Sequence, residues 1–460
     1  IKMAASFVIT FAIFIAIASK IFLEFSQTIS RPYMDEIFHI PQAQNYCHGN
    51  YFYWDNKITT LPGLYIFSQI YLKVFATLQG LQIKDLCDVK DLRLTNVIFI
   101  ALTFVYLYQT FRTYNHGKRF QDSMKVACAA LVVVHFPLLY FFTFLYYTDV
   151  GSTLFVLMAY YWSMKNRHWL SASFGVIAIF FRQTNIVWVG FCCICALLNH
   201  LRRNGKLGKD DSLVRQIFDA VLGCLSMLLS SIWIAVPYVF VLVGFVGFVI
   251  KNDGIVVGDR TSHEACLNFP QILYFSVFTI CFSSFVALRY LNILKTLKMV
   301  WNFITSPINL LCLIVLSAGM FYAVHHYTYQ HLYLISDNRH FTFYIWKKIF
   351  GYHHDVKYYL IPIYAVSTLV MINELSYRRS SLWILVFFAC TAIVLVPQKL
   401  LEFRYFIIPY LIFRLNLRPS TWLELLVEGL VYGVVNYLTM NIFLTRTHTQ
   451  DGHTGQRIMW

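Results

Sequence analysis

Charge is what this sequence has least of. Charged residues fill 13% of its 460 positions, against about 25% in soluble globular domains. Acids are the scarcer half, 22 Asp and Glu against 37 Lys and Arg. There is no Asp-x-Asp pattern and no polar stretch long enough to fold as a soluble α/β domain. Those two absences exclude the usual apparatus for a nucleotide-linked sugar donor. The 11 cysteines are scattered, with no CxxC pair beside a His cluster, so no zinc site is expected. Repeats, low-complexity tracts and Asn-x-Ser/Thr sequons are all missing.

What is present is apolar: 58% hydrophobic residues and 18% aromatics, with 42 Phe and 31 Tyr. That composition belongs to a polytopic membrane protein. Its spans must be helices, because in lipid each backbone group has to bond within its own segment. Strands would read as alternating ten-residue runs, which do not occur. We therefore expect an all-α bundle of about 13 to 14 apolar segments, one integral membrane domain over residues 1–460. The first segment, Met3–Phe22, is too long for a signal-peptide core and reads as retained. Leu64–Leu78 is short for a crossing, and Gln216–Ile250 holds one span plus an interfacial helix, or two spans. The formal charge of +15 reflects cations kept in cytosolic loops, and no nucleic-acid partner is expected.

The basic loops are Lys118-Arg119, Arg202–Arg215, Arg289–Lys298, Arg378-Arg379 and Arg414–Arg418. One crossing per segment puts them all on one side, provided that Gln216–Ile250 is a single crossing and that Leu64–Leu78 does not cross. The other side then collects the turns at Asp149, Phe181–Asn185, Gly258–Glu264, Ser336–His340 and Gln398–Arg404. It also collects residues 24–62, expected as the first luminal loop. That loop gathers Asp35, Glu36, His39, Trp54 and Asp55 in a chain otherwise starved of acids. Cys47 and Cys266 lie outside the spans and are expected to pair in an oxidising lumen.

Inverting transfer of a sugar needs a carboxylate to take a proton from the acceptor hydroxyl. A phosphate leaving group needs no acid, but it needs cations against the charge it develops. Asp35 and Glu36 are the candidate catalytic bases. Arg182, Arg339, His340 and Arg404 are candidate phosphate ligands. Trp54, Asp55, Asp149, Asn185 and Arg260 are candidates for binding substrate. Asp149 also reads as a helix N-cap, and Arg404 as an arginine snorkelling to the interface. Fixed arginines do the work of a metal ion here, so no metal and no cofactor are expected. Turnover should persist in a chelator; loss that added manganese or magnesium restores would contradict this.

The runs Pro32–Gln44, Thr59–Gly63, Phe144–Thr148, Phe181–Asn185, Gly258–Cys266, Asp337–His340, Pro397–Pro409 and Gln456–Trp460 resemble the dolichyl-phosphate-glucose α-1,2-glucosyltransferase family of the endoplasmic reticulum. The resemblance covers nearly the whole chain. It implies a GT-C glycosyltransferase-like bundle with short luminal helices in a multi-pass endoplasmic reticulum membrane protein, its site facing the lumen. It implies dolichyl-phosphate-glucose as donor, a dolichyl-diphosphate-linked oligosaccharide as acceptor, and membrane lipid as the surrounding partner. It implies addition of the terminal α-1,2-linked glucose with inversion, with Asp35 best matching the base and Glu36 second. The family's association with potassium channels leaves a non-enzymatic alternative, a channel partner or a transporter. A transporter places its charges at mid-span beside broken helices, whereas here they fall at span ends.

Overall fold

The computed structural model describes residues 2–114, 120–209, 211–260, 265–290, 293–329, 331–450 and 453–460. Lys118, Arg119 and residues 261–264 of the polar turn after Gly258 lie outside the described residues. The protein is an all-α polytopic membrane protein. Among the described residues, seven helices are long and apolar enough to cross a membrane: Ala5–Thr28, Val89–Tyr114, Gln183–Arg203, Leu228–Asn252, Pro307–Tyr327, Val356–Ser376 and Trp422–Thr445. A bent pair, Pro270–Phe282 and Ser284–Tyr290, meets at 73° and makes an eighth if it is one span. The other apolar segments are helical but shorter. His168–Phe181, of 14 residues, rises only about 21 Å, less than the roughly 30 Å hydrocarbon layer. Among the described residues, strand pairing is confined to a small hairpin of His448–Gln450 with His453–Gln456 and a single bridge between His340 and Met459.

Two compact units emerge: Ile1–Glu264 with Ser380–Cys390, and Ala265–Arg379 with Thr391–Trp460. The first unit opens with α1 (Lys2–Thr28), α2 (Glu36–Cys47), α3 (Gly63–Gln79) and α4 (Val89–Tyr114). The course of α3 bears on whether Leu64–Leu78 crosses. It starts where a Cβ on Gly63 would lie 2.7 Å from the Phe180 carbonyl oxygen, at the end of the His168–Phe181 helix. Midway, Ser68 bonds the Thr95 hydroxyl (2.9 Å) and the Tyr71 hydroxyl donates to the Asp91 carbonyl, so α3 stays beside the first turns of α4. After Gly80 the chain returns to Cys87, which forms a disulfide with Cys47 at the end of α2. Both ends of α3 therefore lie in the layer of α2. Its apolar face, Ile66, Ile70, Val74 and Leu78, is exposed, as in a helix lying in the interface.

The disulfide corrects the expected pair: Cys47 bonds Cys87, and Cys266 is a free, half-buried thiol. Gln216–Ile250 resolves into an amphipathic helix, Leu213–Ser226, and a single span, Leu228–Asn252. In the second unit, the arginines after the spans are locked by buried acids. Arg289 bonds Glu374 and Glu424 (2.8 Å to the latter), and Arg418 bonds Glu374 (3.1 Å). Arg414 grips Glu428 with two nitrogens at 2.7 Å. Glu374 is in the last turn of its span and Glu424 in the first turn of its own, so these charges sit at span ends.

Candidate active site

In the first unit the site is built on the entry to α2. Glu36 is fully buried. Its carboxylate takes two bonds from Arg93, 2.8 and 2.6 Å. It takes two more from the backbone N–H groups of Tyr33 (3.0 Å) and Tyr146 (2.6 Å). Four donors fill the accepting capacity of a carboxylate. Arg93 also donates to the Ile29 and Arg31 carbonyls, so one guanidinium ties the end of α1, the start of α2 and the start of α4.

Asp35, the residue before, is half-exposed. It heads α2, and its backbone N–H donates to the Tyr147 hydroxyl (3.2 Å). Tyr147 is itself held: the Asn96 amide donates to the Leu145 (2.6 Å) and Tyr147 (2.8 Å) carbonyls. The helix Thr148–Met164 starts there with Tyr147 as its N-cap, so Asp149 is not the N-cap but lies two places past it, in the first turn. Asp149 is buried and pairs with Arg182 at 2.9 Å, and Arg182 reaches the Thr148 hydroxyl at 3.4 Å. The entry to α2 and the Asp149–Arg182 pair thus lie side by side.

Three turns converge on the Thr59 carbonyl, which accepts from the Gln183 amide (2.9 Å) and the Val257 N–H (3.4 Å). Gly258 takes a positive φ of +73°, and a Cβ there would lie 2.4 Å from the Ile58 carbonyl oxygen. Only glycine fits that approach. The sequence turns at residues 54–60, 182–185 and 256–260 are therefore one layer. Within it, Trp54 donates to the Ile58 carbonyl (3.2 Å) and packs edge-on to Tyr65. The Asp55 carboxylate accepts from the Lys57 N–H (2.9 Å) in a tight local turn. Asn185 is buried, donating to Ser152 (2.7 Å) and the Ala178 carbonyl (2.8 Å). Arg260 folds back on the carbonyls of Asn252 and Asp253.

The second unit carries its own cationic layer. Asp337 accepts from the Arg339 N–H (3.0 Å) and takes two bonds at 2.8 Å from the Arg339 guanidinium. Burial pushes the Asp337 carboxyl up, but those bonds outweigh it and hold the group below its ordinary range. Arg404 pairs with Glu402 at 2.6 and 2.8 Å. Lys399 lies over the Tyr329 ring. Together with burial, which acts more strongly, it pulls the nearby His331 below the usual imidazole range. The turn at residues 397–400 is tied to residues 266–271, with the Gln271 amide donating to the Leu400 carbonyl at 3.1 Å.

Comparison with known proteins bears on this layout. The model of the DIE2/ALG10 family matches residues 29–415. The chain belongs to the DIE2/ALG10 family. It is 40% identical to a protein of Rattus norvegicus and 39% identical to one of Homo sapiens, each over 96% of both chains. It is 34% identical to one of Arabidopsis thaliana over 94% of this chain and 95% of the relative. All three are named Dol-P-Glc:Glc(2)Man(9)GlcNAc(2)-PP-Dol alpha-1,2-glucosyltransferase. No solved structure matches.

Several residues of this DIE2/ALG10 member escaped the sequence reading. Arg93 precedes an apolar run, where arginine commonly just snorkels. Tyr147 and Lys399 stood in the family-like runs but carried no distinguishing spacing. His39 lies one turn after Asp35 on α2, its Nδ1 2.5 Å from the Tyr65 hydroxyl. An acid and a histidine four apart on one helix face is a signal that was available.

Proposed function

We propose that Asp35 is the general base of an inverting glucosyl transfer in this family member. The activity is that of an α-1,2-glucosyltransferase using dolichyl-phosphate-glucose and the diglucosylated, dolichyl-diphosphate-linked oligosaccharide. Of the two adjacent acids, Glu36 is fully buried under Arg93 and two backbone N–H groups, whereas Asp35 is half-exposed at the head of α2; that difference in exposure supports the assignment. Asp35 takes the proton of the acceptor 2-hydroxyl as its oxygen attacks the anomeric carbon. The bond to the donor phosphate breaks, and dolichyl phosphate leaves with the electron pair. A β-linked donor then gives the α-linked product.

In the second unit, Arg339, His340 and Arg404 are assigned to the donor phosphate, whose charge grows as the bond breaks. Trp54 supplies an aromatic wall, with Asp55 and Arg260 at its margins. Glu36, Asn185 and Asp149 hold the backbone and Arg182 in place. We place this layer in the lumen of the endoplasmic reticulum. The Cys47–Cys87 disulfide closes α2 on the same segment as Asp35, and such bonds persist in oxidising compartments. Retention of the basic loops in the cytosol would agree with this placement.

Purified protein in detergent, given dolichyl-phosphate-glucose and the diglucosylated lipid-linked acceptor, should add one hexose to the acceptor. No mass gain with both substrates present and the protein monodisperse would overturn the reading. Arg404→Ala should raise the donor KM and lower the rate together, because the donor carries its phosphate charge before reaction begins. An Arg404→Ala enzyme with a normal donor KM removes Arg404 from the phosphate set.

A further inference from the structure

The segment Gln456–Trp460 returns from the hairpin and is fastened to the Asp337–Phe341 turn at four points. The Met459 N–H donates to the Arg339 carbonyl at 2.7 Å, and the Phe341 N–H donates to the Met459 carbonyl at 3.0 Å, so the two bonds bracket His340. The His340 Nδ1 is 3.0 Å from the Trp460 carbonyl oxygen. Arg339 reaches the Gln456 side-chain oxygen at 3.4 Å. Met459 is 1% exposed, so this is an inserted segment rather than a strand end lying on the surface.

Its last ring does a second thing. The Trp460 indole packs against Phe341 (5.2 Å between ring centres), Phe282 (6.2 Å) and Phe403 (6.2 Å). Phe341 follows His340. Phe403 immediately precedes Arg404, in the short helix Phe403–Phe406. Phe282 ends the first half of the bent pair. One side chain thus links the turn of Arg339 and His340 to the turn of Arg404. The segment is anchored behind as well: Arg457 donates to the Phe443 (2.6 Å) and Leu444 (2.7 Å) carbonyls, which the end of the Trp422–Thr445 helix leaves unpaired.

We propose that Gln456–Trp460 is a positioning element for the donor phosphate, setting Arg339 and His340 through its backbone and Arg404 through Trp460. This rests on the reading that these three residues meet that phosphate. The turns at residues 337–340 and 402–404 are short and irregular, and each arginine is already half-satisfied by an acid two residues before it. Without the tail, each pair can swing as a neutral unit. With it, the cations are held where the phosphate arrives, and the acceptor side is untouched.

The test is full steady-state kinetics on full-length purified variants, with both substrates varied and folded fraction measured by size exclusion. Trp460→Ala should raise the donor KM roughly 10-fold, the scale of losing a supporting contact to a charged site. The acceptor KM should change by less than about twofold, and Trp460→Phe should recover most of the loss. Gln456→Ala, on a half-exposed residue, tests the same claim where folding is not at stake, with a donor KM raised about two- to threefold. Arg404→Ala combined with Trp460→Ala should cost less than the product of the single effects, because the ring acts through the turn of Arg404. If Arg339→Ala, His340→Ala and Arg404→Ala all leave the donor KM unchanged, the phosphate reading itself fails. If any of them raises it while Trp460→Ala and Gln456→Ala do not, the phosphate reading stands and the role of the tail is refuted. Equal rises in donor and acceptor KM in Trp460→Ala also refute it, since that is the mark of a general loss of structure.

Discussion

Asp35→Asn is expected to lower transfer roughly 10²- to 10⁴-fold, the usual contribution of a general base, with donor affinity close to wild type. The base acts on the acceptor hydroxyl, so its charge matters mainly in the transition state. Asn matches Asp in size. The backbone bonds of residue 35, from its N–H to the Tyr147 hydroxyl and to its carbonyl from the Phe38 and His39 N–H groups, survive the change. Glu36→Gln is expected to differ in kind: it weakens the bonds from Arg93, so protein yield and melting temperature fall before the chemistry does. Wild-type turnover in Asp35→Asn would move the base elsewhere. Asp55 is engaged in its own turn and Asp149 in its pair with Arg182, so either would first have to be released.

Arg93→Ala should destabilise the protein by about 3–5 kcal/mol, the cost of removing one partner from a buried ion pair. It leaves the Glu36 carboxylate in a site that excludes water, with two backbone donors in place of four. It also frees the Ile29 and Arg31 carbonyls, so α2 loses its bearing on α1 and α4 together. Arg93→Lys should recover only part of this, because an ammonium cannot grip both carboxylate oxygens in parallel. Thermal unfolding in detergent, followed by loss of the monodisperse peak, measures the effect. An Arg93→Ala protein that melts with the wild type would show that the clamp contributes nothing net.

Hydropathy made the helical class and most of the spans legible, since twenty apolar residues in lipid have few alternatives. The α2 loop was legible because acids are rare in this chain, so Asp35 and Glu36 stood out as a pair. Which of the two is consumed was not, since that depends on Arg93, 57 residues further on. The course of α3 was hidden for a related reason. Leu64–Leu78 has the composition of a short span, and only its contacts with the first turns of α4 show that it turns back. The disulfide partner was hidden too: nothing in spacing favours Cys87 over Cys266. The tail was read as a family-like ending and nothing more, because its bonds to the Arg339 turn are backbone bonds that no side chain announces.

The reach of that tail sets an order in time. His340 and its partner at Trp460 are 120 residues apart in the chain. At about 5–20 residues per second of synthesis, a ribosome needs about 6–24 s to make the segment that completes a turn already delivered to the membrane. During that interval the apolar segments ahead of it can insert, and the Cys47–Cys87 bond can close, while the cationic turn waits unfinished. A chain stopped after Thr445 keeps every candidate span among the described residues and lacks Gln456–Trp460. Such a product would pass a test of membrane insertion and fail one of donor capture, so insertion and competence are separate checkpoints in this protein's birth.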